Sequence, residues 1–236
     1  MNSIEFNEIR KKIELDKEGA LEKVFKLMLT GVEVSNPEFL HIRGKVSCGK
    51  NVKIELNVII EGDVKLGDNV TIGSHSILRD CTIGKGTMVH PFSLVEGSII
   101  GENCFVGPYG RIRPDVSIGN NVSIGNFVEI KNSNIASKCQ INHHSFVGDS
   151  DLAEQVTIGA GVITCNHDGV GVNRTVISRG VYVGSGCNLV APLKINANAM
   201  IAAGSTITEE VAADTLTIAR SRQVKIENWK GPKLKK

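Results

Sequence analysis

Three interruptions in an otherwise repetitive chain carry residue types that can do chemistry. Arg113 and Lys131 each stand where the surrounding pattern places Gly, and they are one long repeat of 18 residues apart. Two cations stacked at one repeat distance repel unless an anion joins them, so the pair points to a phosphate site. The alternative is that both face water and are screened. His143 and His144 form the second interruption. Imidazole is the side chain whose ordinary pKa lies near neutral pH, which suits a general base. Neighbouring residues on a strand or corner point in different directions, and no third ligand is evident, so no metal is expected. Glu129, beside Lys131, is placed to orient one imidazole. The third interruption, Thr164-Cys165-Asn166-His167-Asp168-Gly169 onward, reads as a small protruding loop.

These positions stand out because the rest of the chain is a repeat. From Ile54 to Ile207, aliphatic residues recur at steps of six, with occasional steps of five and one gap of 13 between Thr164 and Ile177. Of 26 such positions, 25 are Ile, Val or Leu, and the exception is Thr164. Gly often follows the aliphatic residue, as at Gly67, Gly73, Gly84, Gly125 and Gly184. Gly adopts backbone angles closed to other residues, which suggests corners. Six residues suffice for one short strand and one bend, and three units make a coil of 17 or 18. Such coils stack into a parallel β-helix in which each pairs with the next. Nearly nine coils would stand roughly 40 Å tall. Two residues before each aliphatic position lies a small residue such as Val70, Ser76, Cys104 or Ala199. Cys81, Cys104, Cys139 and Cys187 fall in this set and are expected to be buried packing residues.

Composition agrees with a narrow interior. Only ten of 236 residues are aromatic, Gly numbers 25 and Pro six. The N-terminus is charged and lacks a signal-peptide core, and no apolar run nears the roughly 20 residues of a membrane span. The chain therefore reads as soluble and cytoplasmic. Six cysteines without a C-x-x-C pair give neither a zinc nor a redox motif. The net charge of +2 is uneven: residues 215–236 hold seven Lys and Arg against Glu227 alone. A basic tail suits RNA, an anionic metabolite or plain solvation. Without interleaved aromatics, nucleic acid is not expected as a partner.

The segments divide as a helical arm and link (1–44), the β-helix (45–208) and a basic tail (209–236). In the arm, Ile9, Ile13, Ala20, Val24, Phe25 and Met28 recur at helical spacing, and Gly31 is a plausible stop. Arm and tail are the candidates to cap the open ends.

The six-residue phase resembles the hexapeptide-repeat acyltransferases, whose mainly β fold is a left-handed parallel β-helix. Four stretches make the likeness specific: VGPYGRIRPD (106–115), IGNFVEIKN (124–132), IGAGVITCNHDG (158–169) and VGSGCNLVAPL (183–193). Together with the ending IARSRQ…ENWKGP they resemble the acetyltransferase half of the bifunctional glucosamine-1-phosphate acetyltransferase/N-acetylglucosamine-1-phosphate uridylyltransferases. The likeness runs from about Gly31 to Lys236, and the uridylyltransferase half has no counterpart here. It implies a homotrimer with sites between neighbours, acetyl-CoA as donor, an amino sugar as acceptor and no metal for acetyl transfer. It implies His143 as the general base and Arg113 and Lys131 as sugar-phosphate binders. It implies Ala160, Asn166, His167, Ser185, Ala203 and Arg220 as acetyl-CoA contacts, with a backbone N–H near Ala160 for the thioester oxyanion. The setting implied is cell-envelope precursor synthesis, and a separate nucleotidyltransferase is an open partner.

Three positions depart from the family on the acceptor side. Phe146 stands for Tyr, Thr157 for Asn and Val172 for Lys. Charged hydrogen bonds contribute about 1.5–3 kcal/mol and neutral ones about 1, so the departures bear on which sugar binds. Arg174 or His144 could substitute. The expected function is an acetyl-CoA-dependent N-acetyltransferase of glucosamine-1-phosphate or a related, nucleotide-linked amino sugar. The alternatives are a different acceptor or a catalytically impaired β-helix scaffold.

Overall fold

The computed structural model describes residues 3–231. The repeat folds as a three-sided, left-handed parallel β-helix. On the first face the ladder has eleven strands, from Glu33–Val34 to Leu216–Thr217, hence ten turns between them. The other two faces join into one 17-stranded sheet. They are continuous because His41–Cys48 and Ile59–Leu66 each run unbroken round a corner, paired at Gly44 and Gly62. A side chain on Gly44 would strike the Gly62 backbone.

The aliphatic residues stack in three interior columns. Ile54, Ile72 and Val89 line the first face, Ile60, Leu78 and Val95 the second, and Leu66, Ile83 and Ile100 the third, all buried. The small residues two positions earlier are buried as well, including Cys81, Cys104, Cys139 and Cys187. Burial pushes the Cys81 thiol up to about 12, so it packs as an inert small apolar group. Strand pairing is wider than 45–208: Val34, Ile42 and Cys48 build the first coil, and Val211 and Thr217 the last.

Most repeat glycines serve a different purpose from the one their conformational freedom suggests. Of the ten that follow an aliphatic column residue, only Gly107 has positive φ. They are glycine because the next coil is too close. An added Cβ would lie 2.6 Å from Pro91 N at Gly73 and 2.5 Å from Ala203 N at Gly184. The left-handed corners are instead taken by residues such as Asn51, Asn69, Asn103 and Asn121, with φ of 54 to 58°. Asn tolerates this conformation better than most residues.

Helix α1 spans Ser3–Leu29 and ends at Gly31, whose φ is 95°. Its Val24 and Leu27 are buried against the first coils, so the arm covers that end. The tail does not fold back over the other end: Ile218, Val224, Ile226 and Trp229 stay exposed. Lys233, Lys235 and Lys236 lie outside the described residues. Among the described residues no helix is long and apolar enough to cross a membrane.

Candidate active site

Each corner of the prism is a column of side chains spaced one coil apart. Between the first and second faces, His75, Phe92, Tyr109, Phe127 and His144 stack ring on ring, with neighbouring centroids 4.8 to 5.1 Å apart. That is the coil spacing itself. The stack stops at His144. Above it the same corner position is Gly161, then Gly186, then Gly204, all with φ near 70°. An added Cβ would meet nothing closer than 3.9 Å at these three glycines. The aromatic ridge thus gives way to an open trough at the level of His143 and His144.

His143 sits at the foot of this trough. Register places Ala160 above it, then Ser185, then Ala203. Backbone bonds tie the coils together: Gly161 N–H donates to His143 O, Gly186 N–H to Ala160 O and Gly204 N–H to Ser185 O. Arg220 runs beside Gly204, its Cδ 3.9 Å from where a Cβ would be. Three of the expected acetyl-CoA residues therefore stand in one column with the expected base at its lower end, and a fourth, Arg220, lies beside its upper end at Gly204. Asn166 and His167 are not in it. They begin the loop at the opposite edge of the second face.

That opposite corner, between the second and third faces, carries the cations. Its column reads Arg43, Glu61, Arg79, Glu96, Arg113, Lys131, Gly148. The sign alternates, with Arg43–Glu61, Glu61–Arg79 and Arg79–Glu96 ion pairs, until Lys131 follows Arg113. Their repulsion is relieved by carboxylates from flanking columns, which the reading of an unpartnered pair missed. Arg113 bonds Glu129 at 2.9 Å, and Lys131 lies 3.7 Å from Asp149. Within the chain, Glu129 holds the guanidinium groups of Arg111 and Arg113 and has no imidazole among its ion-pair partners. Asn132, Asp149 and Asn166 form a further ladder here, both amides donating to the Asp149 carboxylate. Burial raises the Asp149 pKa, but the two amide donors and the cations outweigh it and the net shift is downward.

The long gap folds as expected into a protruding loop, which lengthens one coil to 25 residues, from Ile158 to Val183. Asp168 braces it, accepting from the N–H groups of Gly171 and Val170 and from the Asn173 amide. His167 Nδ1 accepts from Gly169 N–H at 3.0 Å. The loop closes one side of a groove of about 590 Å³ lined by Arg113, Lys131, Asn132, Asp149, Val172 and Arg174. Arg174 is already held by both oxygens of Asp151, at 2.6 Å each. His144 belongs to the aromatic corner, one face away from Lys131. Of the two suggested substitutes for the family Lys, only Arg174 reaches the groove.

Thr164, the polar exception in the core, explains how the loop leaves the coil. Its buried hydroxyl accepts from Gly148 N–H at 2.8 Å, where a regular coil would offer a backbone carbonyl. The tip of the Phe146 ring lies over Gly148, beside Asn166 Nδ2. Phe146 and Glu129 lie on the outer side of the second face, in register with each other. Thr157 lies on the first face between Gln140 and Tyr182. Residues on two different outer faces cannot line one pocket within a single chain. Among the described residues, no three His, Cys, Asp or Glu side chains gather as a metal ion would need.

Comparisons with known proteins agree with this architecture. The structure of LpxA from Acinetobacter baumannii matches with a TM-score of 0.55 at 19% identity, over 77% of this chain and 71% of that one. At that identity it shows the shared fold. The bifunctional protein GlmU of Azoarcus sp. (strain BH72) is 45% identical over 207 residues, covering 88% of this chain and 46% of that protein. GlmU of Methylobacillus flagellatus is 47% identical over 224 residues, covering 92% and 49%. The chain spans about half the length of these relatives. The family model of the GMPPB C-terminal domain matches residues 42–113 and 105–189. With most of its coils covered by that model, the chain belongs to the GMPPB C-terminal domain family.

Proposed function

We propose that this chain is an acetyl-CoA-dependent N-acetyltransferase acting on an amino sugar, glucosamine-1-phosphate or a nucleotide-linked relative, and that it works as a homotrimer. The observation that carries the reading is the column in which His143 lies beneath Ala160, Ser185 and Ala203, in a trough cleared of side chains by three glycines. A pantetheine arm needs a narrow, accessible track that ends at a base, and this corner has that form. His143 accepts a proton from the sugar amine as it attacks the thioester carbonyl, and returns it to the coenzyme A thiolate that leaves as the C–S bond breaks. A backbone N–H at Ala160 stabilises the oxygen on which negative charge develops. Arg113 and Lys131 hold the acceptor phosphate, and Arg220 holds the far end of the donor. The bifunctional GlmU relatives and the likeness of the quoted motifs support acetyl transfer.

Where the residues fall supports a site shared between copies. The trough and the cationic groove lie on opposite edges of one face, while Thr157 lies on another. A neighbouring copy that sets its trough against this groove brings them together.

Thiol release from acetyl-CoA against a panel of amino sugars tests the activity. Turnover with at least one acceptor is expected, and His143→Ala should lower kcat by about 10²–10⁴-fold, the usual contribution of general base catalysis. No turnover with any acceptor would overturn the enzyme reading. The scaffold reading has one observation in its favour: Arg113, Lys131 and Arg174 each already have a carboxylate partner. It predicts no binding of inorganic phosphate or acetyl-CoA.

A further inference from the structure

Asp149 is the most deeply buried carboxylate among the described ion pairs, its side chain 5% exposed. It occupies a left-handed corner position, with φ of 50°. It also touches residues from both halves of the proposed site. Oδ2 lies 3.7 Å from Lys131 Nζ and accepts from Asn166 Nδ2, while Oδ1 accepts from Asn132 Nδ2. Its own N–H donates to Lys131 O, and its carbonyl accepts from Thr175 N–H, where the chain returns from the loop.

An ionised carboxylate only accepts hydrogen bonds. Asn166 must therefore turn its NH₂ toward Asp149, which points its side-chain carbonyl the other way. Lys131 keeps its ammonium in the groove by the same attraction, with protons left over for an anion. Asn166 also carries the loop, since its backbone carbonyl accepts from Asn173 N–H at 2.7 Å. An anion that draws Lys131 toward itself weakens the Lys131–Asp149 contact and frees the carboxylate to tighten on Asn166. The two interactions share one oxygen, so neither changes without the other.

We propose that Asp149 is a positioning residue that couples the two substrates, holding Lys131 for the acceptor phosphate and Asn166 for the donor. The roles given to Lys131 and Asn166 rest on the function proposed above; the linkage through Asp149 can be read without turnover. Coupling between two sites is reciprocal and appears as a factor by which one ligand changes the affinity of the other.

The probe is inorganic phosphate, titrated into the full chain while the side-chain amide resonance of Asn166 is followed. In the wild type that resonance should shift along the phosphate-binding curve. In Asp149→Asn it should lose the response, because the neutral amide no longer attracts the Lys131 ammonium by charge, so Lys131 and Asn166 are no longer tied to one carboxylate. Where turnover is present, Asp149→Asn should raise KM for both substrates about tenfold, with a smaller change in kcat, since His143 lies on the opposite edge of the face. Asn196→Ala is the structural control. It removes an amide donor from a carboxylate, Glu210, well outside the groove, and should keep the phosphate response. A wild-type Asn166 signal indifferent to phosphate would overturn the proposal, as would equal loss of the response in Asn196→Ala. Failure of acetyl-CoA turnover with the phosphate response intact would overturn the proposed function and leave the linkage standing.

Discussion

The imidazole of His143 lies over Gly125: a Cβ added at Gly125 would stand 2.8 Å from His143 Nδ1 and 3.2 Å from its backbone nitrogen. Gly125 has ordinary φ, so the space above it is what requires glycine. Gly125→Ala should therefore displace the ring more than the backbone. A misplacement of about 1 Å costs on the order of 10²-fold in rate, and we expect a loss of that size in kcat with little change in melting temperature. Gly184→Ala is the contrasting case, because the obstacle there is Ala203 N at 2.5 Å. It should lower the melting temperature. Equal rates in Gly125→Ala and wild type would show that the ring position over Gly125 does not matter for turnover.

Thr164→Val keeps the volume of the core and removes the hydroxyl that receives Gly148 N–H. A buried donor without an acceptor costs about 1–3 kcal/mol. The expected outcome is a loss of stability in that range, with faster hydrogen exchange at the Gly148 amide. Unchanged stability would mean that the amide finds another acceptor when the hydroxyl is gone.

The six-residue period made the prism legible, because a narrow interior accepts only branched aliphatics in the columns and small residues between them. Helix α1 was legible from its spacing and its Gly stop. The first coil was hidden because Cys48, in step with Ile54, interrupts the run of Ile, Val and Leu, and because Val34 lies eight residues before Ile42, out of phase with the repeat. The meaning of the glycines was misread, since sequence shows a missing side chain but not the neighbour that excludes one. The partners of the cations were missed although counting would have found one set. Asn132, Asp149 and Asn166 fall at steps of 17, one coil apart, as do most members of the column from His75 to His144. Glu129, by contrast, reaches Arg113 diagonally between columns, and no spacing rule shows a diagonal contact. The split of the candidate site between two edges of one face became visible only once register assigned each residue to its corner.

Asp168 gives the loop a pH dependence of defined sign. Backbone N–H groups of Gly171 and Val170, with the Asn173 amide, hold its carboxyl down to about 2. A carboxyl depressed in the folded state stabilises above its ordinary pKa of 3.8 and loses that contribution as pH falls toward the depressed value. The loop amides of Val170 and Gly171 should therefore keep their protection at neutral pH and lose it between about pH 4 and 2, while the coils remain paired. Asp168→Ala should show the loosened loop already at pH 7. Protection that is the same in the variant at neutral pH would remove the carboxylate from its bracing role.

The tail offers a direct reading of assembly. Trp229 is the one tryptophan of the chain and is 71% exposed, in a segment where Val224 and Ile226 are also uncovered. Exposed apolar side chains clustered on one segment mark an interaction surface, and the last coil of a solenoid needs a cover. If three copies assemble as proposed, these residues are covered by a neighbour. Sedimentation should then give a mass three times 25.4 kDa, and the tryptophan emission should be blue-shifted and shielded from a soluble quencher. Dilution should red-shift the emission in step with the fall in mass. Replacing Val224 and Ile226 together by Asp should move both readouts the same way without unfolding the coils, which are paired independently of the tail. A single-copy mass at every concentration, with fully quenchable tryptophan, would leave the trough and the groove on separate molecules and remove the ground for a shared site.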